Sequence, residues 1–152
     1  MTDLRALNPP EMAAWHAFLH GHAAVIRKLE AELATAHGLS LPAYEVLAHL
    51  SEAPQRRMRM TELTRRALLT PSGVTRLVDK LERDGLVLRQ RCDEDARAIY
   101  AVLTDAGLAR LEEAYPTHLR GVREHLVDRL PCEQLPVIAE VLHRLVDEPD
   151  CC

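Results

Sequence analysis

Apolar side chains recur at intervals of three and four residues near the start of the chain, which is the spacing of one helical face. The stripe contains Trp15, Leu19, Ile26, Leu29 and Leu33, with His22 among them. Two prolines suit a first helical turn, and Gly38-Leu39 has the form of a glycine stop, so the pattern predicts a helix from Pro9 to His37. Such a helix is about 40 Å long, more than a small domain needs for its own core. The excess length is available to a second subunit.

Shorter patterns follow. Apolar spacing predicts a helix over residues 41–51, and the alternation in residues 57–60 predicts a very short strand. Thr61 is expected to cap the next helix. The apolar positions of that helix are expected to be Leu63, Ala67 and Leu68.

Thr70-Pro71 is a strong helix-start signal, because a capping residue precedes a proline at the first helical position. The helix that it opens, residues 71–84, has apolar residues on one face and small polar or basic residues on the other, and Gly85-Leu86 repeats the glycine stop. Two short helices joined by a tight turn, the second with a polar and basic face, predict a helix-turn-helix.

Two strand patterns come directly after this motif, over residues 86–91 and 98–103, with the polar segment 92–97 between them. They predict a hairpin, or wing. Thr104 is expected to cap a long helix that runs to about Leu130, and a last helix is expected over residues 133–146. The fold class is therefore mainly α (α+β), a winged helix-turn-helix with long N- and C-terminal helices.

Charge is distributed unevenly along the chain, whose net charge is −4. Residues 54–100 carry 11 basic and 7 acidic side chains, whereas the remainder carries 8 basic and 16 acidic ones. This basic centre indicates a surface that faces phosphate. The small number of aromatic residues, 3% of the chain, argues against a platform for single-stranded nucleic acid. Without a secretory signal or an apolar run that could cross a membrane, a cytoplasmic location and no membrane partner are expected.

The segment Val74–Val87 resembles the recognition helix and wing entry of the MarR family of bacterial transcriptional regulators. Asp95-Ala96-Arg97, followed by Val102–Gly107, is similar to the family's wing signature, and Gly38-Leu39-Ser40 with Tyr44–Leu47 extends the likeness to most of the chain. The resemblance implies a homodimer in which residues 1–38 and 104–152 form a helical dimerisation region. Residues 39–103 would form the DNA-binding lobe, and the DNA site would be a pseudo-palindrome with half-sites about one turn apart.

The resemblance also implies which residues contact double-stranded DNA. The recognition helix would enter the major groove, where short hydroxyl side chains permit close approach and arginine pairs with guanine. In the wing, Arg97 resembles the arginine that enters the minor groove, and Asp95 resembles the aspartate that holds the wing in place by pairing with a local arginine. The full set of expected DNA-binding residues is Ser72, Thr75, Arg76, Lys80, Arg89, Arg91, Asp95, Arg97, Arg65 and Arg66.

Members of the family commonly release DNA when a small, often aromatic or anionic, molecule binds between the dimer helices and the DNA-binding lobe. The resemblance therefore implies a ligand-responsive repressor. The residues that could line such a crevice are Trp15, His22, Tyr44, His49, Arg57 and His118. Trp15 and Tyr44 are alternatively core residues.

Other functions remain open at this point. The winged helix could be a protein-interaction module, although the basic centre and Arg97 favour DNA. A metal-sensing regulator would use histidine pairs, His16 with His20 and His118 with His125. A thiol-sensing one would use Cys92 or Cys151-Cys152. Neither metal nor cofactor is expected, and an enzyme is not expected, since none of the three serines lies in a G-x-S-x-G motif.

Overall fold

The computed structural model describes residues 5–92, 95 and 97–146. Six α-helices and three β-strands make up most of this part of the chain: α1 Pro9–His37, α2 Leu41–Glu52, β1 Arg57–Arg59, α3 Met60–Arg66, α4 Pro71–Arg83, β2 Val87–Arg91, β3 Ile99–Leu103, α5 Asp105–His125 and α6 Leu135–His143. Short 3₁₀ turns occupy Pro54–Arg56, Val127–Arg129 and Cys132–Gln134. The predicted mainly helical winged helix-turn-helix is confirmed.

The described residues group into two compact units. One unit is Leu29–His118, and the other combines Met1–Lys28 with Leu119–Cys152. The division by function, into a dimerisation region and a DNA-binding lobe at residues 38 and 104, stays a prediction.

The unit Leu29–His118 is built around a small antiparallel sheet in the order β1-β3-β2. The inner face of the sheet carries the buried Met58, Val87, Ala101 and Leu103, because successive side chains of a strand point to opposite faces. β2 contacts α4, β3 contacts α2 and β1 contacts α3. Fully buried leucines and valines from these helices complete the core, among them Leu47, Leu50, Leu63, Val74 and Val78.

Local sequence signals set the ends of α4 where they were predicted. The Thr70 hydroxyl accepts a hydrogen bond from the Gly73 N–H at 3.1 Å, which satisfies one of the free donors of the first turn. At the other end Gly85 has a φ of 73°, and the Leu86 N–H donates to the Leu81 carbonyl at 2.9 Å. This is the glycine stop expected for the end of the helix.

A threonine links the end of α4 to the beginning of α5. The Thr104 hydroxyl donates to the Gly85 carbonyl at 2.7 Å and accepts from the Gly107 N–H at 2.9 Å, which confirms the predicted cap. The Thr104 N–H also donates to the Leu86 carbonyl at 3.1 Å. A Cβ on Gly107 would lie 2.1 Å from the Leu86 carbonyl oxygen, so the close backbone approach requires glycine here.

Three predicted helix limits are wrong. The helix predicted to start with Thr61 as its cap begins at Met60, directly after β1, and ends at Arg66. Leu68 lies beyond that end and is 79% exposed instead of being an apolar helix position, because Ala67 has extended backbone angles. The helix predicted to reach Leu130 ends at His125, since Leu126 leaves the helical region.

The last helix was predicted over residues 133–146, and α6 is shorter, Leu135–His143. The preceding turn Cys132–Gln134 is a 3₁₀ turn. Apolar periodicity shows which face of a segment is apolar, but it does not determine where a helical turn tightens or ends.

The second unit exposes many large apolar side chains. Those of α1 and the residues before it are Leu7, Met12, Trp15, Phe18 and Leu19, and those nearer the C-terminus are Leu119, Leu126, Val137, Val141, Leu142, Leu145 and Val146. Trp15 is 49% exposed, so within the single chain it is not a core residue. No helix among the described residues is both long enough and apolar enough to cross a membrane.

Candidate nucleic-acid interface

The exposed face of α4 carries the polar and basic residues predicted for the recognition helix. Its apolar face is buried through Val74, Val78 and Leu81. Because these three residues occupy one side of the helix, Ser72, Thr75, Arg76 and Lys80 are left to solvent, as are Asp79, Glu82 and Arg83. The burial pattern therefore leaves the predicted major-groove residues accessible.

Two of these residues make local hydrogen bonds and two keep free charges. The Ser72 and Thr70 hydroxyl oxygens are 3.3 Å apart, and the Thr75 hydroxyl donates to the Pro71 carbonyl at 3.1 Å. Arg76 and Lys80 have no carboxylate within ion-pair distance among the residues that the structure describes. These two cations are therefore available to an external anion.

Arg89 of β2 has a different environment. Its guanidinium lies 2.7 Å from Asp79 and 2.8 Å from Glu82, both on α4. It also donates to the Thr75 carbonyl at 3.4 Å, and the Arg89 N–H donates to Glu82 at 3.0 Å. These contacts use most of the donors of the guanidinium to join the wing strand to α4. Asp79 and Glu82 thus hold a neighbouring arginine in position.

The wing tip is shaped by main-chain hydrogen bonds. The Cys92 N–H donates to the Ala98 carbonyl at 3.0 Å, and the Ala98 N–H donates to the Asp95 carbonyl at 2.9 Å. The Asp95 carboxylate accepts a hydrogen bond from the Arg97 N–H at 3.0 Å. Among the described residues no arginine side chain forms an ion pair with Asp95, so the expected arginine pairing is replaced by this main-chain contact. The Arg97 and Arg91 side chains are exposed.

Basic residues near α3 differ in how far neighbouring acids neutralise them. Arg66 pairs with Glu62 at 2.8 Å, and Arg56 pairs with Asp105 at 3.1 Å. Arg65 is exposed and has no ion pair within the described part of the chain. Of the two residues predicted near phosphate, Arg65 thus carries the uncompensated charge.

Two residues of the expected ligand set meet within the unit Leu29–His118. The rings of Tyr44 and His118 are 4.3 Å apart between centroids. Tyr44 is buried, as the core alternative expected, and burial raises its pKa, with smaller contributions from Tyr115 and Glu52. Burial lowers the pKa of His118, whose Nδ1 atom has no hydrogen-bond partner among the described residues. The His118 Nδ1 atom is itself buried, so this ring pair belongs to the packed interior of the unit.

The remaining members of that set lie elsewhere. His49 and Arg57 line a cavity of about 260 Å³ between the end of α2 and α3. Trp15 and His22 are exposed on α1, where the His22 ring is stacked on Phe18 with centroids 6.3 Å apart.

The structure adds little support for the metal-sensing and thiol-sensing alternatives. His16 and His20 face each other edge to face, with centroids 6.0 Å apart. Cys92 is half-buried, and Cys151 and Cys152 lie outside the described residues. These placements leave the metal and thiol alternatives as predictions.

Sequence reasoning missed one cluster on the outer face of the sheet. The guanidinium carbons of Arg57 and Arg59 lie 5.1 Å and 5.7 Å from the centroid of the Tyr100 ring. The Arg59 Nε donates to the Tyr100 hydroxyl at 3.1 Å, which raises the pKa of Arg59. Only the register of β1 against β3, which pairs Arg59 with Tyr100, brings these residues together.

The order of elements and the exposed face of α4 define a winged helix-turn-helix protein. The model of the MarR family matches residues 37–98. The transcriptional regulator Sco3205 of Streptomyces coelicolor, a MarR family member solved in complex with DNA, is 32% identical. It superposes with a TM-score of 0.92 over 99% of this chain and 95% of its own. The regulator AbsC of the same organism is 33% identical, with a TM-score of 0.87 over 93% and 95% of the two chains.

Among curated relatives, the transcriptional repressor YetL of Bacillus subtilis is 35% identical over 111 residues, which is 71% of this chain. The matched part spans 66% of YetL, slightly less than two thirds of its length. The chain belongs to the MarR family of transcriptional regulators.

Proposed function

We propose that the chain is a homodimeric, sequence-specific DNA-binding repressor. The observation that carries this proposal is the solvent-exposed face of α4, on which Arg76 and Lys80 have no ion-pair partner among the described residues. A guanidinium that no carboxylate engages keeps both of its bidentate donor pairs for guanine O6 and N7. The DNA complex of Sco3205 and the name of YetL support DNA binding and repression in relatives. A DNA target also implies a cytoplasmic location.

The surroundings of each residue indicate which part of the DNA it would contact. Arg76 would read base edges, with Ser72 and Thr75 allowing the helix to approach closely. Lys80, Arg91 and Arg65 would neutralise phosphates, since each is exposed.

The wing residues have other roles in this proposal. Arg97 would enter the minor groove, where negative potential is concentrated. Asp95 would shape the wing through its hydrogen bond to the Arg97 N–H. Arg89 would position the wing strand on α4 rather than contact phosphate. Arg66 would mainly maintain its ion pair with Glu62.

Homodimerisation is supported by the apolar surface of the unit formed by Met1–Lys28 and Leu119–Cys152. A contiguous apolar surface rarely stays open on a monomeric protein. Its members include Trp15, Phe18, Val141 and Leu142, all at least 41% exposed. Burying them against the same surface of a second copy would place two recognition helices for a two-fold symmetric operator.

A small aromatic or anionic effector would release the operator in this proposal. His49 and Arg57 offer donors at a cavity of about 260 Å³, whereas Tyr44 and His118 pack ring against ring with the His118 Nδ1 atom buried. A ligand changes DNA affinity only by its difference in affinity for the two states of the protein. The predicted ligand residues are therefore tested by DNA release and not by binding alone.

The function is tested by selecting duplexes from a random library with the purified protein and sequencing them. An inverted repeat with half-site centres about one turn apart is expected. Arg76→Ala should lower affinity for the selected duplex by about tenfold or more and relax preference at one base position. Arg27→Ala, at an exposed position of α1, is the control and should leave affinity unchanged. No enrichment by a folded dimer would contradict the proposal and favour a protein partner for the winged helix.

A further inference from the structure

The outer face of the sheet carries two arginines that form no ion pair with any carboxylate in the part of the chain that the structure describes. Arg57 and Arg59 alternate with the buried Met58 on β1, so both side chains leave the sheet on its solvent side. Both guanidinium groups lie over one ring, with Cζ atoms 5.1 Å and 5.7 Å from the Tyr100 centroid. Neither has a carboxylate within ion-pair distance among the described residues.

Two acids act near this cluster, and neither forms an ion pair with Arg57 or Arg59: Asp95 attracts Arg59 only weakly, and its carboxylate accepts from the Arg97 N–H. Glu62 lines the same cavity, but its carboxylate pairs with Arg66 at 2.8 Å. Elsewhere in this unit the arginines Arg56, Arg66 and Arg89 each have a carboxylate partner. Two like charges held beside one ring repel each other, and an anion placed between them removes that repulsion.

The space between these side chains is large enough for a ligand. The cavity measures about 380 Å³, and Pro54 and Gln55 complete its rim beside the two arginines and Tyr100. This volume falls within the usual range of small-molecule sites and exceeds that of an inorganic anion. The remaining space admits an organic group attached to the anion.

We propose that Arg57, Arg59 and Tyr100 form a binding site for a small phosphate-bearing molecule. A phosphate has enough oxygens to accept from both guanidinium forks at once, whereas one fork already occupies both oxygens of a carboxylate. The Tyr100 hydroxyl holds Arg59 in position through the 3.1 Å hydrogen bond from Nε, and the remaining N–H groups of Arg59 stay free for the ligand.

The position of the site argues against a DNA phosphate as the natural occupant. The register pairs Arg89 with Ala101, which is buried on the inner face, and Arg89 reaches α4 from that face. Arg59 pairs with Tyr100, one residue before Ala101, and therefore lies on the opposite face of the sheet. α4 packs on β2, and Arg89 reaches it from the inner face, so Arg57 and Arg59 leave the sheet on the side away from α4. The site shares Arg57 with the cavity that His49 lines, whereas Arg59 and Tyr100 belong to neither the proposed effector set nor the proposed operator contacts.

The test follows the arginine Nε–H signals of the folded full-length protein by NMR while inorganic phosphate replaces chloride at constant ionic strength. Saturable shifts of the Arg57 and Arg59 signals are expected, with much weaker shifts for acetate. In the double variant Arg57→Gln with Arg59→Gln, the backbone amide signal of Tyr100 replaces the lost arginine signals as the readout, and the phosphate Kd should rise by about tenfold or more. Tyr100→Phe should raise it by about threefold, because Arg59 loses its hydrogen-bond partner. Arg27→Gln matches the charge change of a single substitution and should leave the Kd unchanged.

Thermal unfolding of each variant verifies that it is folded before titration. Linear, unsaturated shifts, or an equal shift of the Tyr100 amide signal in the double variant, would overturn the proposal, because the effect would then be general screening. Adding the duplex selected above separates the two possible sources of phosphate. If the phosphate-induced shifts of the Arg57 and Arg59 signals persist when the duplex is added, the site is separate from DNA. Displacement by the duplex would show that a DNA phosphate is the occupant and would contradict the proposal. DNA affinity measured without phosphate tests the repressor function separately.

Discussion

The guanidinium of Arg89 on β2 lies 2.7 Å from the carboxylate of Asp79 on α4. Together with Glu82 at 2.8 Å, Asp79 joins α4 to the wing strand through Arg89, a residue that the sequence predicts as a DNA contact. The side chain of Arg89 is only 23% exposed. An arginine in the basic centre of a DNA-binding protein can thus serve the geometry of the interface without contacting phosphate.

Arg89→Ala should lower the free energy of unfolding by about 1 kcal/mol, because two partly exposed ion pairs are lost and two carboxylates remain close together. A double-mutant cycle with Asp79→Asn in urea unfolding should show a coupling of about 0.5 kcal/mol or more. DNA affinity should also fall while the salt dependence of binding stays the same, since no phosphate contact is removed. A smaller salt dependence in Arg89→Ala, like that expected of Lys80→Ala, would place Arg89 on the DNA instead.

Gly107→Ala should destabilise the protein by about 3 kcal/mol, because the new Cβ cannot avoid backbone. Its ideal position is 2.1 Å from the Leu86 carbonyl oxygen and 2.7 Å from Leu103 Cδ1. Gly21→Ala is the matched control: no atom lies within 4 Å of its Cβ position, and Gly21 is inside α1. That control should gain about 0.5–1 kcal/mol, since alanine restricts the unfolded chain more than glycine does. Chemical denaturation measures both, and equal losses would contradict the close approach.

Stability should decrease as the pH falls below about 6.5, the ordinary pKa of histidine, because burial lowers the pKa of His118 in the folded state. Above that pH the His118 ring is neutral in both the folded and the unfolded protein, so no stability is lost. Below it the unfolded chain takes up the proton first, so unfolding becomes easier until the folded ring is also protonated. His118→Phe keeps a ring against Tyr44 but cannot take up a proton. Less stability should therefore be lost in this variant as the pH falls from 6.5 to the lowered pKa of His118. His20→Gln, at an exposed position, should not change this loss.

The single tryptophan reports on assembly. Trp15 is 49% exposed in the isolated chain, so its fluorescence should shift to longer wavelength on dilution as the dimer dissociates. Val141→Glu should produce the shifted spectrum at all concentrations, because a charge in an apolar interface is costly. Sedimentation of the same samples should give half the mass. Arg27→Gln should behave as the unchanged protein does, and a concentration-independent spectrum together with a constant monomer mass would contradict dimerisation.

The sequence predicts best what adjacent residues determine. Thr70-Pro71 and Gly85-Leu86 act through hydrogen bonds within one helical turn, and the ends of α4 lie where these signals put them. Leu68 shows the opposite case. An apolar residue in helical spacing was assigned to a helix, but Ala67 is already extended, and periodicity contains no information about that change.

Contacts between distant segments could not be read from the sequence. Arg59 and Tyr100 are 41 residues apart in the sequence, and their contact depends on the register of β1 against β3. A slip of one residue would move the side chains of one strand to the opposite face of the sheet. The partners of Arg89 likewise depend on how β2 is placed on α4. The wing signature contains Asp95, but it does not specify the turn in which the Asp95 carboxylate accepts from the Arg97 N–H.

Thr104 gives the recognition helix a mechanical connection that does not pass through the wing. One hydroxyl holds the Gly85 carbonyl, which follows α4, and the Gly107 N–H in the first turn of α5. Neither hydrogen bond involves the tip of the hairpin. The end of α4 and the first turn of α5 are therefore held together without a contact from the wing tip.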